Sequence, residues 1–131
     1  MDIRQSYELP FAVNEIYTAW VSSATVISPA TAMEIEPVVG GCYRLIMAMD
    51  EGAAVAEGRF QVVEPDKKLR YTWEWNADGE VSVIDVTFAE IAMGSCIDIH
   101  HSGFANAESA ERHAEGWDRY IEGLAEFLAR Q

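Results

Sequence analysis

The residues of this chain best equipped for chemistry are three histidines, and two of them, His100 and His101, are adjacent. Neighbouring side chains on a strand point to opposite faces, so this pair cannot both ligate one metal ion without distortion. His101 shares a face with Ile97 and Ile99, while His113 stands at the start of an apolar helical stripe. His101 and His113 with a carboxylate would be the one conceivable metal set, but no HxxxH, CxxC or facing acidic motif accompanies them, and no metal is expected. A buried imidazole needs partners for both nitrogens, so His101 reads either as a satisfied core residue or as a polar contact within a cavity. In the second case it is the group to orient a ligand or act as a general base. Tyr43, Tyr71 and Tyr120 place hydroxyls on the same inward faces, whereas Glu57, Glu64 and Glu74 fall outward. There is no nucleophile elbow and no paired carboxylate constellation, and Gly40-Gly41 reads as a turn rather than a phosphate cradle, so no cofactor is expected.

The largest apolar surface that such groups could serve is Leu69-Arg70-Tyr71-Thr72-Trp73-Glu74-Trp75, which alternates large apolar residues with charged or hydroxyl ones. As a strand it has one wet face and one face of aromatic rings. Two indoles and a phenol make a wall that suits a solid core or a lined pocket.

The elements that must position these residues follow from periodicity. Residues 2–9 alternate as a first strand that Pro10 ends, and Val13, Ile16, Tyr17 and Trp20 recur at helical spacing. Ser22, Ser23, Ser28 and Pro29 leave room for one short helical turn before residues 32–36 extend again. From Gly40 to about Ser102 the pattern predicts a meander of antiparallel strands separated by turn signals at 40–41, 50–52, 65–67, 76–79 and 93–94. Tyr43, Leu45, Met47 and Met49 share one face, as do Ala56, Gly58, Phe60 and Val62, then Ile84, Val86 and Phe88. The spacing of Trp117, Tyr120, Ile121, Leu124, Phe127 and Leu128 predicts a long helix over about 106–130, with Asn106 as N-cap. Glu108 with Arg112, Glu115 with Arg119 and Glu126 with Arg130 are i,i+4 pairs on its other side. Gly116 and Gly123 edge the stripe, where each costs about 1 kcal/mol relative to alanine. Either a close approach to the helix or space kept for a ligand would offset that cost.

A length of 131 residues fits one domain, residues 1–131, with a core that needs no metal or disulfide. The balance of 9 basic against 22 acidic residues, a formal charge of −13, argues against nucleic acid and against anionic membrane surfaces. No apolar run approaches the roughly 18 residues that span a bilayer, so no membrane insertion is expected. The N-terminus carries no secretory pattern, which makes the cytoplasm the expected compartment and leaves Cys42 and Cys96 reduced, as small buried fillers of apolar strands.

A strand, one or two short helices, a strand meander and a long amphipathic helix must curl the sheet around that helix to bury its stripe. The order of Pro10 through Ala19-Trp20, Gly40-Gly41 before Tyr43, Gly58 through Glu64-Pro65 and Leu69 through Tyr71-Thr72-Trp73 adds a family likeness. Val86-Thr87-Phe88, His101-Ser102-Gly103-Phe104 and Gly116-Trp117 extend it. Over nearly its whole length the chain resembles the activator of heat-shock protein 90 ATPase homologue family, within the START-like, birch-pollen-allergen-like superfamily. The resemblance implies an α+β helix-grip fold, a curved antiparallel sheet of about six or seven strands wrapped around the C-terminal helix. It departs from the family at Val26-Ile27-Ser28-Pro29, where a tryptophan and a proline-containing turn are usual.

These readings converge on a module that encloses a small hydrophobic or amphipathic molecule between sheet and helix. Tyr43, Leu45, Met47, Phe60, Tyr71 and Trp73 are the first candidates for its lining. Trp75, Phe88, His101, Trp117 and Tyr120 complete the set. The resemblance alone carries a second expectation, a chaperone-ATPase regulator with a chaperone partner, and leaves room for a homodimer through a sheet edge or residues 26–29. A cyclase- or hydrolase-type enzyme centred on His101 is the third. Absence of motifs leaves catalysis open, since cyclases on this scaffold act mainly by holding a substrate in shape.

Overall fold

The computed structural model describes residues 2–25, 30–49, 52–76 and 79–130. Val26–Pro29, the Asp50-Glu51 turn signal, the Ala77-Asp78 part of the next one and the side chain of Met49 lie outside what it describes. Strand β1 (Asp2–Leu9) leads into helix α1 (Val13–Trp20), and five strands follow, β2 (Ala30–Ile35), β3 (Cys42–Met49), β4 (Gly52–Glu64), β5 (Lys68–Trp75) and β6 (Ser82–Ile91). Strand β7 (Gly94–Ser102) and the long helix α2 (Ala107–Ala129) complete the chain. The strands form one antiparallel sheet in the order β1-β7-β6-β5-β4-β3-β2. The α1 segment thus carries the chain from one sheet edge to the other, and simple hairpins bring it back until β7 pairs with β1. This is the helix-grip arrangement, with seven strands.

Alternation fixes which side faces α2. On β6 and β7, Ile84, Val86, Phe88, Ile97, Ile99 and His101 are all buried, and each pairs with an inward partner across the ladder. The helix returns Trp117, Ile121, Leu124 and Leu128 to this face, and Asn106 caps its start by accepting a 2.8 Å bond from the Ser109 amide. Ile16, Tyr17, Ala19 and Trp20 of α1 close the core at one end.

Several expectations change. The inward face of β4 runs through Ala56 and Phe60 but not on to Val62, because the register slips between Phe60 and Val62. Val63 opposite Leu69 packs inward instead, and Val62 lies opposite Arg70. Such a bulge adds one residue to one strand and flips every later side chain. The cysteines are not buried fillers, since Cys42 is exposed and Cys96 half-buried. Each immediately precedes an inward residue, Tyr43 or Ile97, so alternation turns it to the outer face. Nor do the three i,i+4 pairs of α2 close into ion pairs; those formed among the described residues are Arg44–Glu57, Arg70–Asp85 and His100–Asp2. Exposed pairs gain too little to hold two long side chains together.

Candidate functional site

Between the curled sheet and α2 the core does not close. A cavity of about 630 Å³ remains, within the roughly 300–1,000 Å³ typical of small-molecule sites. Its sheet wall is the aromatic face of β5, Tyr71, Trp73 and Trp75, extended by Tyr43, Leu45 and Met47 of β3 and by Phe60 of β4. The opposite wall is one face of α2, on which Ser109, Arg112, His113, Gly116, Trp117 and Tyr120 recur at spacings of three and four. All four tryptophans of the chain border this space.

Of the eleven residues expected to line a cavity, Phe88 does not. It packs edge-on against Tyr17 and Trp20, at centroid distances of 5.6 and 5.5 Å, because α1 covers that part of β6. The wall of β5 divides in the same way. Leu69 is sealed in the core and does not border the space, Tyr71 is buried yet reaches it, and Trp73 and Trp75 stay half-buried along it.

Several bordering residues carried no sequence signal of their own. Trp20 reads as an ordinary helix core residue, but its Nε1–H donates to the Tyr71 hydroxyl across 3.2 Å and its ring stacks on Trp117. Met33 and Ile35 enter from edge strand β2, and Glu80 from the loop before β6. The helical repeat that puts His113 four residues before Trp117 could have found Ser109, four residues further back.

His101 is 1 % exposed and both ring nitrogens are engaged. An indole N–H can only donate, so Trp117 Nε1–H fixes Nδ1 as an acceptor at 3.1 Å. The ring proton therefore sits on Nε2 and donates to Ser82 Oγ at 2.7 Å, and that hydroxyl donates to the Trp73 carbonyl at 3.3 Å. Burial pushes the pKa of His101 down to about 3, helped by the charges that His113 and His100 would carry. A neutral imidazole with both nitrogens held is a polar strut joining β5, β6, β7 and α2, with no nitrogen free to take a proton from a substrate. His100 faces the other side, as expected, and bonds Asp2 at 2.8 Å. That bond chiefly holds the Asp2 carboxyl below its ordinary pKa.

His113 is placed differently. Its Nδ1–H donates to the Ser109 carbonyl one turn back, at 2.7 Å, and its ring packs against Phe104, His101 and Trp73 at the cavity wall. The neighbouring Glu80 carboxylate accepts from the Ala105 amide at 2.9 Å and from the Ser109 hydroxyl at 3.0 Å. The Ala105 bond is the main reason its pKa falls below the usual value. No cluster of three or more metal-ligating side chains occurs among the described residues.

Three phenols meet at the other end. Tyr43 donates to the Thr72 carbonyl, Tyr71 accepts from Trp20, and Tyr120 makes no hydrogen bond among the described residues. Burial raises the pKa of all three, and proximity to Tyr71 adds to the effect on Tyr43 and Tyr120, so each stays a neutral donor. One polar atom of a wall residue has no partner among the described residues, Trp73 Nε1, which is packed away from solvent.

Solved structures share this architecture. A Chromobacterium violaceum protein superposes with a TM-score of 0.84 at 19% identity, covering 97% of this chain and 96% of that one. The solution structure of an AHSA1-like protein from Aeromonas hydrophila gives 0.84 at 17% identity, covering 99% and 93%. DynU16, from the dynemicin biosynthetic locus, gives 0.85 at 17% identity, covering 98% of this chain but 47% of that longer one. At these identities the likeness shows the fold alone. Comparison with curated proteins finds no match. The family model for Activator of Hsp90 ATPase homolog 1-like protein matches residues 10–129, from the end of β1 to the last residue of α2, and the chain belongs to that family.

Proposed function

We infer that this protein binds a small hydrophobic or amphipathic molecule in the cavity between β3–β5 and α2. The observation that carries the reading is the cavity itself, about 630 Å³ walled mostly by aromatic and aliphatic side chains, with three phenols among them and the charged Glu80, Arg112, Glu115 and Arg119 at its border. A second observation supports it. Gly116 sits in the middle of α2 on the cavity border, and a Cβ built there meets nothing within 4 Å. Glycine at a helix centre costs about 1 kcal/mol relative to alanine, and no neighbour requires its absence of side chain, which fits space kept at the exposed mouth of the cavity. Ligand binding is favoured over catalysis through His101 because both nitrogens of that ring are occupied.

Native mass spectrometry of the protein purified from cells tests this reading. The wild type should carry a small-molecule adduct that denaturation releases, and Gly116→Leu, which fills the space, should not. A wild-type mass that is the same under native and denaturing conditions would count against it.

A further inference from the structure

Besides the charged side chains of Glu80, Arg112, Glu115 and Arg119, the cavity is bordered by imidazole, indole and phenol groups at two places on α2 and β5, and these two elements set the distance between them. His113 and Tyr120 are seven residues apart on α2, which returns them to one face at a rise of about 10 Å. Facing them, Trp73 and Tyr71 are two residues apart on β5, about 7 Å along the strand. Trp73 meets His113 edge-on at 6.3 Å, and Trp20 ties Tyr71 to Tyr120, bonding the first and packing edge-on to the second at 4.9 Å. Each end of the cavity therefore joins one residue of the helix to one of the strand.

The two ends have opposite chemistry. The Ser109 carbonyl holds Nδ1–H of His113, so in the imidazole form Nε2 is the acceptor, without a partner among the described residues and not sealed from solvent. At the far end the Tyr120 hydroxyl is unbonded among the described residues, and Tyr71 accepts from Trp20 while its own proton has no acceptor there. One end accepts and the other donates. Between them along α2 Gly116 opens the helix face, and aromatic and aliphatic residues make up most of the facing wall.

Building on the ligand-binding reading, we propose that the cavity takes an elongated, mostly apolar molecule in one fixed direction. A hydroxyl at one end donates to His113 Nε2, and a carbonyl or ether oxygen at the other accepts from Tyr120 and Tyr71.

A set of four rigid probes tests this: an acetylnaphthol with its hydroxyl and acetyl groups at opposite ends of the ring system, the naphthol and the acetylnaphthalene that each lack one group, and naphthalene. Affinities are measured by calorimetry for wild type, His113→Phe and Tyr120→Phe, with His113→Leu replacing the first if it fails to fold. The acetylnaphthol should bind tightest, and each end group should add roughly three- to tenfold, the worth of one net hydrogen bond. His113→Phe should abolish only the advantage of the hydroxyl, and Tyr120→Phe should weaken only that of the acetyl group. Equal binding of all four probes, or losses that do not sort by end group, would overturn the proposal while leaving cavity binding intact. Failure of every probe to bind would overturn both.

Discussion

His101 holds both of its ring nitrogens in hydrogen bonds that tie the sheet to α2. Its position on an inward face is read directly from alternation, but the partners that neutralise it come from three other elements, Ser82 on β6, the Trp73 carbonyl on β5 and Trp117 on α2. Its acid–base behaviour follows. The unfolded imidazole titrates near 6.5 and the folded one near 3, so between those values the unfolded chain takes up a proton that the native state refuses. Stability from this group is complete above about pH 6.5 and falls as the pH drops toward 3, by up to about 1.4 kcal/mol per unit. Urea unfolding at pH 7, 6 and 5 should show that slope in the wild type and a shallower one in His101→Gln; identical slopes would mean that His101 is not buried neutral. Trp117 separates packing from hydrogen bonding. Trp117→Phe keeps most of the ring contact but leaves His101 Nδ1 unpaired, for an expected loss of about 1–3 kcal/mol. Trp117→Ala should lose about 3–5 kcal/mol, because it also removes stacking on Trp20 and the edge contact with Tyr120. Chemical denaturation of the two variants checks the order.

At the scale of elements, α2 serves two purposes that conflict at Gly116. The buried stripe of Trp117, Ile121, Leu124 and Leu128 holds the helix on the sheet, while the adjoining face is left open over the cavity. Gly116→Ala should therefore raise stability by about 1 kcal/mol through helix propensity and should lower affinity for a cavity ligand. Thermal denaturation paired with calorimetry checks both, and a destabilised variant would show that the glycine is required by packing. Gly58 is the opposite case, since a Cβ there would collide with the Thr72 carbonyl of the neighbouring strand. Gly58→Ala should force β4 and β5 apart and lower the melting temperature. The two glycines look alike in sequence, and only the neighbouring backbone distinguishes them. The same limit explains the other differences. Period-two alternation made the strands, their faces and most of the cavity wall legible, and the repeat around Trp117 did the same for α2. The bulge after Phe60 has no glycine or proline to announce it. Phe88 shares the inward phase of Ile84 and Val86, and only the docking of α1 takes it away from the cavity. The outward turn of Cys42 and Cys96 was available from alternation, but their apolar type outweighed it.

The molecule as a whole is a curved sheet that grips a helix without filling the space between. No helix among the described residues is long and apolar enough to cross a membrane, and the excess of acidic residues is spread along the chain rather than gathered at the cavity, whose border includes Arg112 and Arg119 beside Glu80 and Glu115. Elsewhere Val38, Val39, Val81 and Met93 leave apolar side chains exposed, which offers an apolar compound a competing place to bind. The four indole N–H signals distinguish these outcomes, because every tryptophan borders the cavity. Titration of isotope-labelled protein with acetylnaphthol, followed by proton–nitrogen correlation spectroscopy, should move the indole signals of Trp20, Trp73, Trp75 and Trp117 together and saturably. Stationary indole signals, with shifts confined to the amides of Val38, Val39, Ile91 and Met93, would contradict binding in the cavity.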